Sequence, residues 1–210
     1  MRIVKRIAKI ILDAPKREKN KEILPKGYQI FHGILSPEQV ELLNAAYDPS
    51  NHDSIMSSGD NEIRWTFNDT ETLLSLLAGS RINEIMKSYK SSEPNPAFIM
   101  RNHILSAGKI GSGGGWHRDT FSPALKIFIP LSLVDETNGA MQYCDTSLSH
   151  TSFMKSAVTG LRANNVGSQS DVLILRPGDV VVADVSALHR GGPVSKPGRD
   201  MLTVYFKDAR

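Results

Sequence analysis

Three side chains in this sequence have the types and spacing to hold one metal ion: His117, Asp119 and His189. The first two lie in Trp116-His117-Arg118-Asp119. In an extended strand, residues two apart share a side, so imidazole and carboxylate converge while Arg118 faces away. The third, His189, is expected at the end of the strand that begins with the apolar run Val180-Val181-Val182-Ala183-Asp184-Val185. Two histidines and one carboxylate, with open positions opposite them, suit Fe(II) in non-haem oxygen chemistry. Ten residues after His189 comes Arg199, at the start of another strand-like stretch that includes Met201 to Phe206. A guanidinium there can clamp the far carboxylate of a 2-oxo acid through paired hydrogen bonds.

His-X-Asp alone recurs by chance, and a lone strand-end histidine is commonly just a half-buried polar residue. The set as a whole is more specific. It comprises His-X-Asp, about seventy residues of β-type sequence, Pro177-Gly178-Asp179 before a strand, a terminal His and an Arg ten residues on. On these residues the chain resembles the Fe(II)/2-oxoglutarate-dependent dioxygenases, and among them the phytanoyl-CoA dioxygenase-like family, over roughly residues 95 to 210. Further matching stretches are Ile129-Pro130-Leu131-Ser132-Leu133, leading to Thr137-Asn138-Gly139-Ala140-Met141, and Ser147-Leu148-Ser149-His150. The last stands where that family reads Pro-Gly-Ser-His, so this turn is degenerate.

The resemblance implies a mainly β fold: a double-stranded β-helix (jelly roll) supported by N-terminal helices. It implies Fe(II) held by His117, Asp119 and His189 as the catalytic centre, with 2-oxoglutarate and O2 as cosubstrates. Arg199 would bind the cosubstrate, helped by Thr203 or by residues of the strand from 101 to 105, His103 and Leu105 among them. His103 and His150 are reserve ligands. The intact Asp119 favours hydroxylation over halogenation, because halogenating relatives lack the carboxylate. Substrate contacts are sought at Trp65, Arg101, Arg118 and Lys126, each of a type more often structural when taken singly. The substrate expected is a small molecule, or one linked to a lipid or carrier.

These residues need a scaffold, and the pattern supplies one. Gly27 to Leu35 reads as a strand. It ends at Ser36-Pro37-Glu38-Gln39, a capping box with proline at the first helical position. A second strand, Ile63 to Phe67, precedes Asn68-Asp69, a cap for one long helix whose apolar stripe runs from Leu73 to Met86. From Pro96 the pattern changes to strands and turns: 97 to 105, 125 to 133, 172 to 175, the run into His189, and 201 to 206. The Gly111 to Gly115 loop matches neither a phosphate-binding loop nor a dinucleotide fingerprint, and reads as a flexible approach to the metal strand. Asp145 to Ser170, rich in Ser, Thr, Asn and Gly, is long enough for a mobile lid. His32 reads as structural.

With 210 residues and 40% hydrophobic content, the chain can bury one sizeable core; residues 25 to 210 are expected to form a single domain. A net charge of +3 is too mild to indicate nucleic acid. One cysteine, Cys144, excludes an intramolecular disulfide and fits a reducing, cytoplasmic setting; it reads as a small core or site-lining residue. The basic excess falls largely in the first 26 residues. There Ile3, Ile7, Ile10 and Ile11 repeat at helical spacing, with Arg2, Lys5, Arg6 and Lys9 on the other side. Residues 2 to 12 therefore either lie on an anionic membrane surface, at the inner face of the membrane, or pack on the barrel. Pro15 to Glu22 is charged without an apolar face and reads as a linker or solvated helix end, which makes 1 to 24 a helix-plus-linker segment.

Two other readings stay open on the residues alone. One is a cupin-like, non-oxidative metalloenzyme such as an isomerase or epimerase. The other is a catalytically silent jelly-roll module that binds carbohydrate.

Overall fold

A computed structural model describes residues 2–50, 55–58, 61–90, 95–108, 115–144, 147–163 and 169–206. In chain order the elements are α1 (Arg2–Leu12), α2 (Ala14–Ile23), β1 (Tyr28–Phe31), α3 (Pro37–Ala46), β2 (Ile55–Ser58), β3 (Glu62–Phe67), α4 (Glu71–Leu77) and α5 (Arg81–Lys90). There follow β4 (Pro96–Ile104), β5 (Leu125–Pro130), β6 (Met141–Cys144), α6 (His150–Thr159), β7 (Ser170–Val172), β8 (Val180–Asp184), β9 (His189–Gly191) and β10 (Asp200–Phe206). Among the described residues the strands form a seven-stranded sheet, β1-β8-β5-β10-β4-β3-β2, and a three-stranded sheet, β7-β6-β9. Every pairing is antiparallel, as the jelly-roll expectation requires.

Side-chain parity divides the large sheet into two working faces. Ile99, Ile127, Ile129, Val182, Leu202 and Val204 lie on one face, buried under Leu43 of α3, Leu73 and Leu77 of α4, and Ile82, Ile85 and Met86 of α5. The opposite parity turns toward the small sheet. There Phe128, Val181, Ala183 and Met201 meet Met141, Tyr143, Leu173 and Leu175. The cavity described below opens between the two sheets.

Local signals explain the helices, and they revise three expectations. The capping box at the start of α3 forms: Ser36 Oγ accepts from the Gln39 backbone N–H, and the Gln39 side chain accepts from the Ser36 N–H. The long helix expected after Asn68-Asp69 is instead two. Gly79, at φ +71, ends α4, and the Ser80 hydroxyl accepts from the Asn83 N–H as α5 begins.

The stretch read as a linker or a solvated helix end is helix α2, and it is packed on the protein. Its packing residue is an arginine, which a search for apolar periodicity passes over. Arg17 is buried, donates to Phe121 O and Ile10 O, and lies over the Phe153 ring at 4.4 Å. The middle of the expected lid is likewise ordered as α6. Its Phe153 and Ala157 are buried against Ile10 of α1 and Phe121. Residues 145–146 and 164–168 of that stretch, and 111–114 of the glycine loop, lie outside the described residues. Helix α1 is thus packed on α6 along one side, and no helix among the described residues is long and apolar enough to cross a membrane.

A His-Asp-His cluster beside a buried arginine

His117 and His189 face each other as an antiparallel pair, each backbone N–H donating to the other's carbonyl at 2.9 Å. The Asp119 N–H donates to Val185 O at 2.9 Å, so three backbone bonds tie the His-X-Asp stretch to the chain leading into His189. The expectation of one strand ending in His189 is corrected here. β8 stops at Asp184, and after a turn His189 opens β9 in the other sheet.

His117 Nδ1 sits 2.7 Å from Gly115 O, and His189 Nδ1 3.0 Å from Ala187 O. A carbonyl only accepts, so each Nδ1 carries the proton in the neutral ring and each Nε2 keeps its lone pair. Those Nε2 atoms lie 3.3 and 3.9 Å from Asp119 Oδ1, and the three ligand atoms all fall within 4.8 Å of one another. Three lone-pair donors converging so closely repel unless a cation sits among them. The residues present therefore fit a divalent metal.

The electrostatics agree. Burial pushes the His189 pKa down to about 4, outweighing the pull of Asp119, so this imidazole is neutral and ready to ligate at ordinary pH. Burial alone would raise Asp119, but contact with His117 and the Lys126 ammonium holds it well below the usual carboxylate range. Lys126 Nζ is 2.6 Å from Asp119 Oδ2 and 4.0 Å from the Tyr205 ring centroid. That ammonium occupies the outer carboxylate oxygen and leaves Oδ1 toward the histidines. The Tyr143 ring, parallel to His189 within 15° at 5.3 Å, fixes the imidazole plane from behind.

Arg199 lines the same cavity, a space of about 150 Å³. It is 1% exposed. It donates to Gly139 O and, at 3.1 Å, to Asn102 Oδ1, while its Nε has no partner among the described residues. Burial lowers its pKa to about 10, with Glu62 opposing, so the group stays cationic at neutral pH. The oxygens of Glu62 are engaged by Arg64 and by Asn102 Nδ2 at 2.5 Å. Arg199 is left facing two neutral acceptors. A buried guanidinium with a spare donor and no carboxylate hydrogen-bonded to it is suited to receive an anion.

Gly139 makes that receptor possible. Its φ is +87, and a Cβ there would stand 2.9 Å from Val194 Cγ2 and 3.3 Å from Gly192 O. The Thr137-Asn138-Gly139-Ala140 stretch thus turns tightly enough to present a carbonyl to Arg199.

Sheet parity decides which other expected residues arrive. Thr203 does, buried on the cavity wall. Lys126 does too, and there it pairs with Asp119. Trp65, Arg101 and His103 are not among the cavity residues, because their parity places them on the opposite face. Trp65 packs against the helix-covered core. Arg101 binds Asp200 and the carbonyls of Asn44 and Tyr47, and His103 Nδ1 is 3.7 Å from Asp200 Oδ2. Leu105 lies past the end of β4, half exposed, with its N–H on Asn61 O.

Arg118 faces away from His117 and Asp119 as expected; it is buried and is not among the cavity residues. It reaches Ser186 O, Ser147 O, Ser152 Oγ and Ser156 Oγ. His150 opens α6, exposed, and His32 pairs with Asp179 at 3.3 Å. Cys144 is buried in β6. The wall also carries residues not singled out from the sequence, among them Arg64, Met100, Met201 and Tyr205, while Asn102 belongs to the strand from 101 to 105 expected to help bind the cosubstrate. Choosing the even residues of β4 over the odd ones was the available signal, and both sets are mixed in polarity.

No known protein-family pattern matches the chain, and no curated protein does either. Solved structures do. The non-heme α-ketoglutarate-dependent epimerase SnoN from nogalamycin biosynthesis aligns at TM-score 0.65 and 19% identity, over 92% of this chain and 84% of SnoN. HygX from Streptomyces hygroscopicus, with nickel and 2-oxoglutarate bound, aligns at 0.66 and 13% identity, over 92% and 87%. EvdO2 from Micromonospora carbonacea var. aurantiaca, complexed with 2-oxoglutarate, aligns at 0.57 and 18% identity, over 91% and 90%. At these identities the likeness is one of fold.

Proposed function

We propose that the chain is a non-haem Fe(II)/2-oxoglutarate-dependent oxygenase acting on a small molecule, with residues 25 to 210 as its catalytic unit. The observation that carries this reading is the pairing of two unmet demands in one cavity. Three lone-pair donors need a cation, and the buried Arg199 needs an anion. Fe(II) with 2-oxoglutarate meets both. The similar structures support it: SnoN is an α-ketoglutarate-dependent epimerase, and HygX holds a metal, 2-oxoglutarate and, in another crystal, hygromycin B. The phytanoyl-CoA dioxygenase-like branch is the finer assignment we propose, on the sequence stretches quoted above.

His117, Asp119 and His189 would hold the metal, Arg199 with Asn102 and Thr203 the 2-oxoglutarate, and O2 would be the second cosubstrate. Bound there, metal and cosubstrate supply the oxidising power to break an unactivated C–H bond. The chain's own residues do the positioning. Lys126 fixes the free oxygen of Asp119, the backbone carbonyls of Gly115 and Ala187 set both histidine tautomers, and Gly139 O and Asn102 aim Arg199. Met100, Met141, Met201 and Phe128 supply the apolar part of the wall, beside Arg64, Arg190 and Tyr205.

A second reading is favoured by one observation, the likeness to the epimerase SnoN. In that case the substrate would lose and regain hydrogen at one carbon without gaining oxygen. The test is incubation with Fe(II), ascorbate and labelled 2-oxoglutarate, followed by mass spectrometry of a metabolite extract. Succinate release from the wild type and not from His189→Ala is expected. A product heavier by one oxygen assigns the hydroxylase, and an isobaric product the epimerase. Metal-dependent conversion without succinate would replace both with a non-oxidative metalloenzyme, and no conversion or metal binding would leave a silent binding module.

A further inference from the structure

Helix α1 carries more apolar surface than its packing consumes. Ile10 is fully buried and Ile7 partly so against Phe121, Phe153 and Ala157. At 100° per residue, Val4, Ala8, Ile11 and Leu12 form a neighbouring sector roughly 100° wide. That sector is open: Val4, Ile11 and Leu12 are 69%, 58% and 77% exposed. Of ten exposed large apolar side chains among the described residues, four are on α1, and Val158 is on α6 beside it. Among the described residues, half of the exposed large apolar side chains thus fall on two adjoining helices, which scattered surface residues would not do.

The charge beside this stripe indicates what covers it. Arg2, Lys5 and Lys9 complete the exposed side, and α1 contains no acidic residue. Arg6, by contrast, is tied to the protein through Ala157 O and the Phe121 ring. One sector is fastened to the enzyme, the next is bare and apolar, and the third is purely cationic. A helix of that kind lies in the interface of an anionic bilayer, apolar side chains among the acyl chains and ammonium groups at the lipid phosphates.

We propose that α1 docks this protein peripherally on anionic lipid surfaces while remaining packed on α6. The proposal is independent of the metal chemistry. It differs from membrane insertion of a detached helix, since Ile7 and Ile10 stay in the protein.

The test is co-sedimentation of the full chain with phosphatidylglycerol-containing vesicles and with pure phosphatidylcholine vesicles, at low and high salt. Binding to the anionic vesicles that weakens with salt is expected. The triple substitution Val4→Ser, Ile11→Ser, Leu12→Ser should abolish it while leaving the melting temperature unchanged. Lys5→Gln with Lys9→Gln should weaken it about 30-fold, at the usual contribution per basic residue. Wild-type protein that ignores anionic vesicles, or a triple variant that binds like wild type, would overturn the proposal. So would self-association in light scattering that the triple variant removes, because the stripe would then belong to a second copy.

Discussion

Replacing Gly139 by alanine should separate backbone strain from the support of the anion receptor. The left-handed backbone, φ +87, costs an L-residue about 1–2 kcal/mol. The new methyl would also meet Val194 Cγ2 at 2.9 Å and the Gly192 carbonyl at 3.3 Å, an overpacking of about 1–3 kcal/mol. Gly79→Ala is the matched control: φ is +71, but nothing lies within 4 Å of its Cβ, so only the strain applies. A domain of this size loses roughly 2–4 °C in Tm per kcal/mol, so Gly139→Ala should melt several degrees below Gly79→Ala. The functional consequence should differ in kind. The Gly139 carbonyl accepts from Arg199, and a hydrogen bond to a charged group is worth about 1.5–3 kcal/mol, or roughly tenfold to a hundredfold. The 2-oxoglutarate concentration for half-maximal succinate formation should therefore rise at least tenfold in Gly139→Ala and stay put in Gly79→Ala. Thermal unfolding and cosubstrate titration of both variants are the assays. Equal melting temperatures and equal half-saturation would refute the role given to Gly139.

Arg199→Ala should raise the 2-oxoglutarate requirement by a hundredfold or more while nickel binding, followed calorimetrically, stays near wild type; Arg199→Lys should recover only part, lacking the planar fork. Lys126→Met should change metal affinity about 10–100-fold and alter the visible spectrum of the Co(II)-substituted protein, with Lys126→Arg restoring part of both; an unchanged spectrum would show that Asp119 needs no such partner. Phe153→Ala should destabilise the fold by about 3–5 kcal/mol in urea unfolding, because its ring is fully buried between α1 and α6 beneath two guanidinium groups.

The sequence was most legible where one rule of periodicity applied. His117 and Asp119 share a side because they are two apart, and Arg199 and Thr203 share the cavity face of β10 for the same reason. The rule gave no help in β4. That strand is covered by helices on one face and by the cavity on the other, so neither face is plainly apolar, and Arg101 and His103 were as eligible as Asn102. The packing of helix α2 is not legible from apolar periodicity because its buried residues, Arg17 and Asn20, are polar. The strand break between Asp184 and His189 was hidden because Val185, Ala187 and Leu188 are apolar and buried although they form a turn. Lys126 was noticed by type, but its carboxylate partner depends on the pairing of β5 with β10 and on the path of the chain after His117, which no local pattern encodes.

The arginine between the two ligands, Arg118, has a consequence for which parts of the molecule open together. It joins the turn at Ser186 to Ser152 and Ser156 of α6, and lies over the Phe153 ring that also holds Ile10 of α1. The N-terminal helix and the His-Asp-His cluster are thereby tied into one network, which should open as one cooperative unit of local unfolding. A cation that binds only the closed ligands stabilises that whole unit, so amide hydrogen exchange in α1 should slow when metal is added, although α1 contributes no ligand. The linkage runs equally in reverse: whatever holds α1 down tightens the grip on the metal by the same factor.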